Sequence, residues 1–134
     1  MYPFQDGFRW KGVRVEKYRA DAHDWSDIIR QVLIGPEQKS AKFHVRYFEL
    51  SPGGFSSHET HNHEHVVIGV RGKGRARLRS RNIEIKFLDV LYVRPGSPHR
   101  FFNPYDEPFG FFCIVSAKRD RPRPVRTKKS KSGI

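Results

Sequence analysis

The nine residues from Ser57 to His65 read S-H-E-T-H-N-H-E-H and hold four of the chain's seven histidines together with two glutamates. Imidazole nitrogen and carboxylate oxygen are donors for first-row divalent ions, and such density has little packing value, so the stretch points to a metal centre. Residues two apart on a strand share a face, which pairs Glu59 with His61. One strand fills only one hemisphere around an ion, and a further ligand has to come from elsewhere. His99, in the run R-P-G-S-P-H-R-F-F-N, is the best placed, in a loop that Pro95, Gly96 and Pro98 stiffen.

Outward from this stretch the pattern is one of short strands and turns. Phe43 to Leu50, FHVRYFEL, is rich in β-branched and aromatic residues and stops at Ser51-Pro52-Gly53-Gly54. His65 to Val70 is a short apolar run broken by Arg71-Gly72-Lys73-Gly74. From Arg75 to Arg79 the basic side chains take odd positions and Ala76 and Leu78 even ones, the period of a half-buried strand with a solvated face. Ile83, Ile85 and Phe87 alternate in the same way after a turn near Asn82, giving a hairpin. Asp89 to Val93 and Phe109 to Ser116 complete the set, the latter after Asn103-Pro104-Tyr105-Asp106. The single helical candidate, Asp24 to Leu33, is short and reads equally well as extended. An all-β domain of this kind manages its open edges as a closed barrel or a two-sheet jelly roll, and pattern alone does not choose.

Composition bounds the rest. A chain of 134 residues has room for one core. Its hydrophobic share is only 37%, but eleven Phe, five Tyr and two Trp bury much area per residue. No run approaches the roughly 20 apolar residues of a membrane span, and the N-terminus lacks a signal-peptide hydrophobic region. One cysteine, Cys113, excludes an internal disulfide, reads as a small buried hydrophobe, and is compatible with the cytoplasm. The formal charge of +12 is uneven: Lys118 to Ile134 holds eight Lys or Arg and one acid, +7 of the total, which leaves +5 for the rest. That basic tail has almost no apolar content and reads as disordered. Nucleic-acid binding through the tail and the Arg75 to Arg81 row is the weaker reading of this charge, since a row on one strand face is ordinary solvated surface.

The spacing of these residues resembles that of the cupin superfamily. Its first motif sets two ligands two apart, a third about four later and then a glycine; its second sets a histidine three after a glycine and an asparagine four beyond. Counting back from Gly72, the resemblance implies His65 as the third ligand and His61 and Glu59 as the pair, with Gly96, His99 and Asn103 as the second motif and Asp89 as the acid that opens it. Pro52-Gly53-Gly54 matches the usual approach. This sequence departs from the pattern in carrying Glu59 where histidine is commonest, Leu88 for a glycine and Arg94 for a proline. A register using His58, His61 and His63 stays open, with His63 a spare ligand, a supporting donor or a surface residue. His58 has the opposite parity and is expected to be exposed, and His23 and His44 read as ordinary polar residues.

The resemblance implies a double-stranded β-helix, the cupin jelly-roll barrel, over residues 43–117, preceded by an extension over 1–42 and followed by the tail, 118–134. It implies one divalent transition metal (Mn, Fe, Ni, Co, Zn or Cu) on Glu59, His61, His65 and His99, and a small-molecule ligand. It leaves two functions, a metal-dependent enzyme of the dioxygenase, isomerase or lyase type and a non-catalytic metal- or metabolite-sensing module; Glu59 would be a general base if the metal took three histidines. Kinship also suggests a homodimer paired through the segment from Phe4 to Val15.

Overall fold

The computed structural model describes residues 1–19, 24–120 and 123–125, and within them every regular element is a strand. There is thus no helix among them long and apolar enough to cross a membrane. In chain order the strands are β1 (Phe4–Gln5), β2 (Arg9–Trp10), β3 (Glu16–Lys17), β4 (Ser26–Ile34), β5 (Phe43–Phe55), β6 (Glu59–Thr60), β7 (His65–Arg71), β8 (Gly74–Leu78), β9 (Arg81–Ile85), β10 (Val90–Val93), β11 (His99–Phe102), β12 (Phe109–Ser116) and β13 (Arg123–Pro124).

β5 joins two sheets. Its first eight residues pair with β12, from Phe43↔Ser116 to Leu50↔Phe109, and with β4 on the other side, while its last residue, Phe55, pairs with Phe102 of β11. One wall therefore runs β10-β7-β12-β5-β4-β3 and the other β9-β8-β11-β6-β13. The Ser51 to Gly54 cluster is a bend within β5 rather than its end, because the chain must turn there from one wall to the other. Gly54 makes the bend possible: a Cβ on it would lie 2.6 Å from the Asp27 carbonyl oxygen. Two walls with sequential strands crossing between them form the jelly-roll barrel, which resolves the alternatives that alternation left open.

Alternation assigns the interior as expected. Val67, Ala76, Phe101, Phe109, Phe111, Cys113 and Val115 point inward and are buried, while Arg75 and Arg77 flank Ala76 on the outer face. Asp24 to Leu33 settles as extended, since β4 is a nine-residue strand of which seven residues pair with β5; bulges between Ser26 and Ile28 and between Val32 and Ile34 curve it around the barrel. The hairpin after β8 turns at Arg79–Ser80, ahead of the expected Asn82, with Arg79 at φ +55°. Phe87 does not continue the inward set of Ile83 and Ile85. β9 has ended, and Phe87 lies on the surface with Leu88, Val90 and Tyr92 beside the β10 edge.

The N-terminal hairpin of β1 and β2 lies against the outside of its own first wall. Phe8 stacks on Tyr47 at 5.8 Å, Trp10 contacts Tyr47 and Phe112, and the Gln31 side-chain amide donates to the Phe8 carbonyl at 2.9 Å. Tyr47 is fully buried as a result.

Candidate metal centre and the cavity behind it

The histidines lie at strand ends on one side of the barrel. His61 opens the loop after β6, His65 is the first residue of β7 and His99 the first of β11. β6 and β11 pair directly through His99↔Glu59, and the Gly96 amide donates to the His61 carbonyl at 2.7 Å, so the two halves of the site are tied by backbone. Each half is also braced. The fully buried Asn103 donates through Nδ2 to Leu50 and Glu107 carbonyls and accepts from the Tyr105 amide, which fixes the chain after β11. Gly72, at φ +58°, packs so close that a Cβ would meet the Pro108 carbonyl oxygen. The motif glycine and asparagine are structural here.

His61, His65 and His99 are buried and present nitrogens that lie within 4.8 Å of one another. Their tautomers follow from their partners. His61 Nδ1 donates to the His63 carbonyl at 2.7 Å and His99 Nδ1 to the Ser97 carbonyl at 2.9 Å, so each keeps its lone pair on Nε2. Those two Nε2 atoms face each other at 3.3 Å with no proton available between them. Two lone pairs held so close in a buried site are stabilised by a cation. Burial lowers the proton affinity of all three rings, pushing His61 down to about 4 with the neighbouring imidazoles adding to the effect. The rings are thus neutral, the form that binds metal, and the donor set fits a first-row divalent ion.

The other expected residues take several places. Glu59 is buried in the same cavity wall, but its Oε2 is 2.6 Å from Arg19 Nη1 and it lies outside the three-histidine group. Burial pushes its carboxyl up to about 7 even though the Arg19 guanidinium opposes that rise. His63 stacks on His61 at 3.8 Å and brings its Nε2 to 3.2 Å from His65 Nε2. Its Nδ1 donates to Asp120 Oδ1 at 2.8 Å, the carboxylate brace typical of ligating histidines. His58 is half-buried, with its amide donating to Asp24. His23 lies outside the described residues. His44 is buried, its Nδ1 accepting from Arg119 at 2.9 Å, and it lies outside the three-histidine group.

Asp120 was not foreseen, because it sits in a stretch that reads as a detached basic tail. In the described part of that tail, Asp120 accepts from the Asn62 amide as well as from His63, and Arg123 and Pro124 pair with Thr60 and Glu59 as β13. The segment straps the histidine loop. Cys113 is fully buried as expected, yet its Sγ lies 2.8 Å from His65 Nδ1 and 3.4 Å from Arg46 Nη2. Burial pushes this thiol up, so it is protonated and sets the outer face of the His65 ring.

Behind the histidines the barrel encloses a cavity of about 390 Å³. Its floor is apolar, made by Ile28, Phe48, Phe101 and Phe111, and Arg30, Arg46 and Arg119 project along the β4–β5 side. The clue in the sequence was Arg46, a cation that shares the inward parity of Phe48 and Leu50 on the strand Phe43 to Leu50.

A two-walled jelly-roll barrel with three buried histidines converging at its strand ends is the architecture of this chain. The family model described as a cupin domain matches residues 46–115, and this chain belongs to that family. It is 35% identical over 122 residues to the 1-methylthio-D-xylulose 5-phosphate methylsulfurylase of Rhodospirillum rubrum, covering 90% of this chain and 77% of that one. Among solved structures, a cupin-2 domain from Rhodospirillum rubrum superposes with a TM-score of 0.83 at 33% identity, over 99% of this chain and 88% of that one. A cupin 2 conserved barrel domain protein from Rhodopseudomonas palustris does so with a TM-score of 0.86 at 30% identity, over 99% and 90%.

Proposed function

We propose that this protein is a metal-dependent enzyme acting on a small organic substrate, with His61, His65 and His99 as the metal ligands. The convergence of their Nε2-bearing rings at the head of a half-open cavity is the observation that carries this reading. Three protein ligands leave open positions, and a bound divalent ion would polarise a substrate oxygen there. The chain's own contributions are legible beside it. The aromatic floor excludes water and packs the substrate's carbon skeleton, while Glu59, buried and raised in proton affinity, is placed to hold or release a proton. The compound in the relative's name is a methylthio sugar phosphate, and a substrate of that class suits a cavity with an apolar floor and a cationic side.

Metal analysis of protein purified without chelator, repeated on His61→Ala and His99→Ala, tests the centre. One ion per chain in the wild type and none in the variants supports it; stoichiometric metal in both variants overturns it. Turnover of a 1-methylthio-ketose 5-phosphate that falls with metal removal would carry the enzyme reading.

His63 favours a second reading. Its braced ring, 3.2 Å from His65, is available as a fourth ligand, and a saturated centre would suit a non-catalytic sensing module. Replacement with cobalt distinguishes the two, because a six-coordinate spectrum unchanged by added ligand would sink the enzyme reading.

We also infer a homodimer. The Phe4 to Trp10 hairpin is spent on its own wall, so the surface that suits a second copy is the β10 edge with Phe87, Leu88, Val90 and Tyr92, each more than half exposed. Val90→Lys should convert a dimer to a monomer in sedimentation, and a monomeric wild type at micromolar concentration would refute the pairing. The buried lone thiol of Cys113 is in keeping with a cytoplasmic setting.

A further inference from the structure

The arginines inside the barrel pose a problem of charge balance. Arg46 points inward from β5, opposite Cys113 in the register, and Arg30 lies beside it on β4. Arg119 follows β12 and reaches the same cavity, where its Nη1 donates to His44. Most cavity cations near them are matched: Arg19 holds Glu59 at 2.6 Å, and Arg30 reaches Glu16 at 3.5 Å through Nη2. Arg46 and Arg119 have no carboxylate partner among the described residues. Arg46 makes one polar contact, with the Cys113 sulfur, and lies over the Phe48 ring. The Nε atoms of both Arg30 and Arg46 are buried with no hydrogen-bond partner.

Buried guanidinium donors left unpaired are costly, and like charges brought together add to the cost. Arg119, on a more exposed segment and donating through Nη1 to His44 and the Ser116 carbonyl, feels the second: partial burial and then the charges of Arg46 and Arg30 lower its proton affinity. A bound anion removes the penalty. Two uncompensated cations match a dianion, and guanidinium forks suit the tetrahedral oxygens of phosphate. His44 adds a neutral donor, because Arg119 occupies Nδ1 and leaves the ring proton on Nε2.

We propose that Arg30, Arg46 and Arg119 form a phosphoryl-binding recess that holds one end of a phosphate-monoester substrate while its other end reaches the three histidines. One thiol separates the recess from the metal centre, since Cys113 Sγ touches both Arg46 and His65, so a single small molecule spans the two. The orientation rests on the metal-centre reading above; the recess itself does not.

The test therefore uses the full chain stripped of metal, with inorganic phosphate as the probe and binding followed by calorimetry at low salt. Wild-type protein should bind one phosphate, and Arg119→Gln and Arg46→Gln should each weaken it about tenfold or more, the equivalent of one lost charged contact. Arg77→Gln, on the outer row, should bind as the wild type does. Arg119 lies beyond β12 on an exposed segment, so its variant keeps the barrel even if Arg46→Gln does not fold. His99→Ala should lose metal and keep phosphate. Absence of phosphate binding at millimolar concentration, binding that requires metal, or wild-type affinity in Arg119→Gln would each overturn the recess while leaving the metal centre standing. Acetate binding as tightly as phosphate would overturn the assignment to a phosphoryl group.

Discussion

The chain presents arginine on two surfaces, and the two behave differently. On β8 and its turn, Arg75, Arg77 and Arg79 alternate with Ala76 and Leu78, keep their heads in or near water and lean on weak partners such as the Asn82 and Arg79 carbonyls. On the inner side of β4 and β5, Arg30 and Arg46 face a cavity beside neutral imidazoles and phenyl rings. Water screens the first group without help from the protein. The second group needs a counter-charge, which makes it informative about ligands. Net charge, which counts both alike, says little about either.

Predictions follow from pulling the inner and outer surfaces apart. The largest effect belongs to the histidine end of the inner surface. His61→Ala and His99→Ala each remove one of the three proposed ligands, and metal content by plasma emission should drop from stoichiometric to background. Next comes the floor shared by histidines and arginines. Phe111, 2% exposed, packs on Phe48, Phe101 and Phe109; Phe111→Ala should cost about 3–5 kcal/mol in urea unfolding, the range for a buried aromatic. A loss below about 1 kcal/mol would mean the floor collapses freely and does not hold the cavity open.

The Asp120 brace is a smaller lever. Asp120→Asn weakens the acceptor for His63 and the Asn62 amide, so if His63 ligates the metal, affinity should fall about tenfold, the lower end for supporting residues. Unchanged affinity would place His63 outside the coordination sphere. The smallest effect lies on the outer row, where Arg77→Gln should change stability by no more than about 0.5 kcal/mol. A larger loss there would erase the distinction between the two surfaces.

Much of this was readable from sequence where local rules act alone. Period-two alternation separated Ala76 from Arg75 and Arg77 because a strand offers only two faces. Spacing from Gly72 singled out His65, which lies with His61 and His99 in the buried three-histidine group. What escaped depended on partners far along the chain. The bend at Gly54 looks like a strand end unless β11 is known to receive Phe55. Phe87 matches the alternation of Ile85, but β9 has stopped before it. Nothing near Glu59 in the sequence shows that Arg19, 40 residues earlier, holds its carboxylate. Asp120 is one acid among eight bases, and only the return of the chain along β6 shows where it goes.

That return has an implication for how such a barrel can diversify. The cupin match ends at residue 115, yet Arg119 and Asp120 lie beyond it, and Tyr18 and Arg19 precede it on the cavity wall. Chain ends are where length and sequence change with least damage to a fold. Here the segments flanking the match reach the cavity, so exchanging them between relatives offers a route to a new ligand preference with the three histidines untouched.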